Sequence, residues 1–109
     1  MLGPVEVWAG LTRVEVGPPR QRAVLAALAV DAGRVVAVDV LVDRVWGTDP
    51  PQRVRRTLQT HIARVRRVVE QIGVVEGQQA QVVRRADGYA LDIDADRVDL
   101  LRFRRLATD

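Results

Sequence analysis

Apolar positions along this chain first alternate, then recur at helical spacing, then alternate again. Val5-Glu6-Val7-Trp8 and Val14-Glu15-Val16 are short alternating runs parted by Gly10, which predicts a β-hairpin or meander over 4–17. Pro18-Pro19 breaks the second run and suits the first turn of a helix. Over 20–33, Val24, Leu25, Leu28 and Ala32 share one face and Gly33 stands where a helix would stop, so a first helix is expected there. Residues 34–37 make a brief β-prone link. Leu41, Val42, Val45 and Trp46 then predict a second helix over about 39–46, with Asp39 near its positive end and Gly47 closing it.

A third and longest helix is expected over about 51–70, beginning at the Pro50-Pro51 pair. Val54, Leu58, Ile62, Val65 and Val69 recur at steps of four and three, which makes one apolar stripe. At about 100° per residue, Arg56, Thr60, Ala63, Arg64 and Arg67 fall opposite that stripe. Arg55, Gln59 and Arg66 flank one edge, and Arg53, Thr57 and His61 the other. Six Arg and no acidic residue lie between Pro50 and Val69. Gly73 to Gln79 reads as a polar connector, and 81–85 with 89–93 as a second hairpin around Ala86-Asp87-Gly88, where Asp-Gly is a turn signal. Val98, Leu101, Phe103 and Leu106 suggest a short helix over about 98–107 that packs back on the hairpin side or serves self-association. The division expected is one domain over 1–95 and, over 96–109, a short helix that starts a linker or a following helical domain.

Composition narrows the chemistry. The 109 residues suit one domain with a single small core at 48% apolar content, and no apolar run nears the roughly 18 residues of a membrane span. No signal peptide is visible, so a cytoplasmic home is the default expectation. Cys, Ser, Lys and Asn are absent and His61 is the one histidine, so neither a Ser-His-Asp nor a Cys-His arrangement exists. Zinc-type ligands are lacking too. Asp92, Asp94 and Asp96 alternate as in a calcium loop, but Arg97 stands at the glycine position and Phe103 at the closing glutamate. Phosphate-cradling glycine motifs are missing. No enzyme and no cofactor is expected.

All 17 basic residues are Arg and the net charge is +3. Codon choice in a GC-rich genome accounts for Arg over Lys, but Arg also offers a flat donor fork for phosphates and guanine edges. An Arg-rich helix face is commonly just a solvated face. Here Thr and Gln are interleaved, no acid intervenes along the helix, and Arg84 and Arg85 sit on the second hairpin. Three helices, a basic third helix and a basic hairpin make the layout of a winged helix-turn-helix. A helix about 10–12 Å across fits the major groove, with its apolar stripe anchoring it to the body.

The sequence resembles the OmpR-type winged-helix domain, and within that group the N-terminal domain of the Streptomyces antibiotic regulatory proteins. The segments concerned are LGPVEVW at 2–8, PPRQRAVLAALAVDAGRVVAVDVLVDRVWG at 18–47, DPPQRVRRTLQTHIARVRRVVE at 49–70, RRADGYAL at 84–91 and VDLLRFRRL at 98–106. The resemblance implies an α+β winged helix-turn-helix with an N-terminal antiparallel sheet, a three-helix core and a C-terminal hairpin wing. It places groove-facing roles on Arg56, Thr57, Gln59, Thr60, Arg64 and Arg67, backbone contacts on His61 and Arg66, and a phosphate contact on the Trp46 indole. Arg84, Arg85 and Gly88 would form the wing. Ala63 stands where some relatives have Arg and Ala90 where relatives often place it, and a shortened leading strand is expected.

The implied function is that of a two-component-like output domain: sequence-specific binding of double-stranded promoter DNA on direct repeats, as an activator of a secondary-metabolite (antibiotic biosynthesis) gene cluster. RNA polymerase, met through 47–51, and a second copy on DNA are the implied partners. A winged-helix protein-interaction module without DNA binding is the alternative, and it predicts an Arg face broken by acids or apolar residues. A non-specific nucleic-acid binder would lack the base-edge types Thr57, Gln59, Thr60 and Arg64.

Overall fold

The structure, a computed structural model, describes residues 5–9, 12–76, 79–93 and 101–105. The two alternating runs at the start form β1 (Val5–Ala9) and β2 (Thr12–Val14), antiparallel with Val7 opposite Val14. Alternation sends Val7 inward, and Val16 follows it into the core just past β2. α1 (Pro19–Ala29) buries Val24, Leu25, Ala27 and Leu28 completely. Each such aliphatic side chain larger than Ala contributes about 1.5–3 kcal/mol through removal from water. The helix stops at Ala29, earlier than the expected Gly33, which instead takes a positive φ of 84° four residues on and donates its N–H to the Leu91 carbonyl at 2.8 Å.

The β-prone link becomes β3 (Val36–Ala37), which runs directly into α2 (Val38–Trp46); Gly47, at φ 65°, ends that helix. Two arginines tie α1 to α2 by meeting helix carbonyls at their negative ends. Arg20 Nη1 donates to the Val45 carbonyl at 2.7 Å, and Arg44 donates to the Ala27 carbonyl at 2.9 Å and to Asp31 Oδ2 at 2.6 Å. A buried Gln21 donates to the Val16 carbonyl at 2.5 Å and so pins the first sheet to α1.

α3 (Val54–Glu76) differs from the expectation at both ends. Pro50-Pro51 lies ahead of the helix rather than in its first turn, and the Arg53 carbonyl accepts the first bond, from Thr57 N–H at 3.0 Å. At the far end the helix continues through Gly73 instead of stopping near Glu70. Ile72 extends the Val65–Val69 stripe into the core, and its burial offsets the roughly 1 kcal/mol that a helical glycine costs.

β4 (Ala80–Arg85) and β5 (Gly88–Ile93) form the second hairpin, with Arg85 opposite Gly88 across a two-residue turn of Ala86-Asp87. The turn therefore falls one residue before the Asp-Gly signal, with Ala86 at φ 49°. Gly88 is needed inside the strand: β3 crosses there, Ala37 opposite Gly88, and a side-chain Cβ would run into the Val36 carbonyl. The second sheet has the order β3-β5-β4. Asp87 of the turn also accepts the N–H of Val38, the first residue of α2, at 3.1 Å.

The expected helix over 98–107 is overturned. Residues 101–105 are a strand, β6 (Leu101–Arg105), antiparallel to β1 with Phe103 opposite Val7. The run Leu101-Arg102-Phe103-Arg104 has period two, and β1 offered an open edge of unpaired backbone groups that only another strand can satisfy. Residues 98–100, 106 and 107 lie outside the described residues. The first sheet thus has the order β2-β1-β6. In sum of elements the architecture is the expected α+β one, with three helices between an antiparallel sheet and a hairpin wing.

Candidate nucleic-acid interface

Leu58, Ile62, Val65 and Val69 are all at most 2% exposed and half-buried Val54 packs against the same core, so the stripe along α3 is committed to the interior. That commitment leaves the opposite face no choice but solvent. Arg56, Gln59, Thr60, Ala63, Arg64 and Arg67 are exposed, as their angular positions required, while Thr57, His61 and Arg66 are half-buried along the edges. Thr60 Oγ1 donates back to the Arg56 carbonyl at 3.2 Å, which leaves its lone pairs and methyl group for a neighbouring molecule.

The hairpin places Arg84 and Arg85 at the end of β4, both exposed. Arg85 Nη1 turns back onto the Arg84 carbonyl at 3.0 Å. Arg66 bridges the two parts, since its Nε donates to the Val82 carbonyl at 3.1 Å.

Two residues are placed in ways that sequence reading did not supply. Arg55 has no acid near it along the chain, yet it meets Asp39 of α2 at 3.1 Å, both groups open to solvent. Such a surface pair contributes only about 0–1 kcal/mol. Arg20 of α1 sits on the Val45 carbonyl at the end of α2, and its charge is one of those that disfavour a proton on the His61 imidazole. No periodicity signal links residues so far apart; only packing of α1 on α3 brings them together.

Trp46 is buried, 6% exposed, at the end of α2, with His61 tilted against it. The His61 Nδ1 is enclosed and unpartnered. Burial, then the charges of Arg64 and Arg20, hold its pKa below the ordinary histidine value, so the ring is neutral near pH 7. Among the described residues no group of three or more His, Asp or Glu is positioned to hold a metal ion, and no helix is long and apolar enough to cross a membrane. What the arrangement presents is a convex ridge of Arg, Thr and Gln donors with a basic hairpin beside it.

Residues 13–91 match the family described as "Transcriptional regulatory protein, C terminal". Transcriptional regulatory protein MoaR1 of Mycobacterium tuberculosis is 41% identical over 104 residues, covering 94% of this chain and 33% of that protein. Regulatory protein DnrI of Streptomyces peucetius is 39% identical over 112 residues, covering 100% of this chain and 41% of that protein. The chain thus spans well under half the length of these relatives. Among solved structures, Mycobacterium tuberculosis EmbR in complex with a low-affinity phosphopeptide superposes with a TM-score of 0.68 at 30% identity, over 89% of this chain and 25% of that one. The chain belongs to the transcriptional regulatory C-terminal family, the OmpR-type winged helix-turn-helix, and is similar there to regulatory proteins of Streptomyces and Mycobacterium.

Proposed function

We propose that the chain reads promoter DNA with α3 and steadies itself with the wing. The observation behind this reading is the division of α3 into a buried apolar stripe and an exposed face of Arg, Thr and Gln. Arg56, Gln59, Thr60 and Arg64, with half-buried Thr57 at the edge, form the part suited to base edges, Arg64 most of all, since its fork matches guanine O6 and N7. Arg67 serves as a phosphate anchor at the end of the ridge, His61 and Arg66 meet the backbone at its edges, and Arg84 and Arg85 reach an adjacent groove or strand. The Trp46 indole meets a phosphate only through whatever edge its burial leaves open.

By likeness to its relatives, the domain works as an activator on direct repeats upstream of a secondary-metabolite gene cluster, two copies side by side, in the cytoplasm. The loop between α2 and α3, residues 47–51, faces RNA polymerase in this reading. Selection of duplexes from a random pool, followed by footprinting of the selected site, tests it. A recovered motif in two direct repeats, with protection of both, is the expected result. Recovery of no sequence above the starting pool would overturn it.

A further inference from the structure

β4 is the outer strand of the second sheet, and the pairing of the hairpin dictates which of its carbonyls are available. A two-residue turn closes on the pair Arg85–Gly88, and the closing pair of such a hairpin is hydrogen-bonded. Bonded and non-bonded pairs then alternate, so Arg84 and Val82 turn their carbonyls away from β5. The outward carbonyl of Arg84 accepts from the neighbouring Arg85 guanidinium at 3.0 Å. That of Val82 accepts from α3 itself, through Arg66 Nε at 3.1 Å. Val82 is buried and Arg66 half-buried, so this charge-assisted bond is partly shielded from water.

We propose that Arg66 is a positioning residue for recognition: its bond to Val82 fixes the height and angle of the wing against α3, so that Arg84 and Arg85 meet DNA at a set distance from the face at Arg64. The inference rests on the DNA-binding reading above. Val82 lies two and three residues before the wing arginines, which at about 3.3 Å per residue puts the anchoring point about 7–10 Å from them. An unanchored outer strand would have its freedom removed only on binding, at an entropic cost; the anchored one has lost it beforehand.

A double-mutant cycle tests this, using the duplex that the wild-type chain selects from a random pool and hydrogen exchange on the DNA-free protein. In the wild type, Arg85→Ala should weaken binding about fivefold, the order of one exposed charge-assisted contact. In an Arg66→Met background the same change should cost less than about twofold, because an unpositioned wing arginine has little left to lose. The ladder-bonded amides of Gln81, Val83 and Arg85 should exchange about tenfold faster in free Arg66→Met. Arg66→Lys, which can still bring a donor to the carbonyl, should restore part of both effects. If Arg66→Met fails to fold by circular dichroism, Arg66→Leu, which likewise has no donor, takes its place with the same expectations. Additive costs of the two substitutions overturn the proposal, whatever exchange shows, and leave Arg66 with its phosphate contact alone. A wild-type chain that selects no duplex is a different result: it defeats the DNA-binding reading, and this inference with it.

Discussion

The imidazole of His61 leans on the indole of Trp46 at 43°, ring centroids 6.2 Å apart, and so joins the end of α2 to the middle of α3. The contact holds a neutral ring. Its Nδ1 is enclosed without a partner, and desolvation, Arg64 and Arg20 all disfavour a second proton on the ring.

Stability should therefore fall on acidification in a way that His61 controls. The folded-state pKa lies below the ordinary value of 6.5, so in the interval between them the unfolded chain binds more protons than the folded one. Stability is at its full value above that interval, declines as pH falls through it, and levels off below the folded pKa as far as this group is concerned. Carboxylates contribute at lower pH, so the measurement is the difference between wild type and His61→Gln in denaturant midpoint at pH 7.5 and 5.5. Equal acid sensitivity in the two chains would refute the assignment.

Gly88→Ala should destabilise by about 1–3 kcal/mol, the range for forcing an atom into a filled space. The added Cβ meets the Val36 backbone carbonyl, which cannot swing aside as a side-chain end would. Gly33→Ala makes the useful contrast, since no atom stands within 4 Å of the added Cβ and only the positive φ of 84° opposes it. Its cost should be about 1 kcal/mol. Urea unfolding of both variants gives the comparison, and equal losses would mean that the crossing of β3 and β5 has room to spare.

Arg64→Ala should cost roughly 1–3 kcal/mol on the selected duplex and far less on a scrambled one, so that the specificity ratio collapses. Arg64→Lys should recover only part, because Lys lacks the planar fork. Paired titrations at one salt concentration decide it: equal losses on both duplexes would make Arg64 a phosphate anchor. Folding should be untouched, since the side chain is exposed on the face opposite Leu58 and Ile62.

Arg67→Ala should weaken binding to every duplex alike and reduce the salt dependence by about one unit of slope. Titrations from low to moderate salt measure this, and an unchanged slope removes Arg67 from the backbone contacts.

Local patterns made most of the ridge legible beforehand. Leu58, Ile62 and Val65 are buried because their spacing matches a helical turn, and the same arithmetic exposes Arg56, Thr60, Arg64 and Arg67. Failures came where a distant partner decides. Phe103 lies in a strand because Val7 had an open edge, and no local pattern names that partner. Gly73 remains helical because Ile72 finds a core to enter. Arg55 meets Asp39, and Arg66 meets Val82, only because α2 and β4 pack on α3.

The pairing of β3 with β5 has a mechanical consequence. Ala37 sits opposite Gly88, and one residue later the Asp87 carbonyl of the wing turn holds the N–H of Val38 at the head of α2. The hairpin is thus bolted at its tip to the start of one helix and, through Arg66, along its side to another. A displacement of Ala86-Asp87 that breaks the Asp87–Val38 hydrogen bond also leaves the first N–H of α2 without its acceptor. The wing is thus joined to α2 at one point and to α3 at another, so a surface met by the turn is met beside the head of α2.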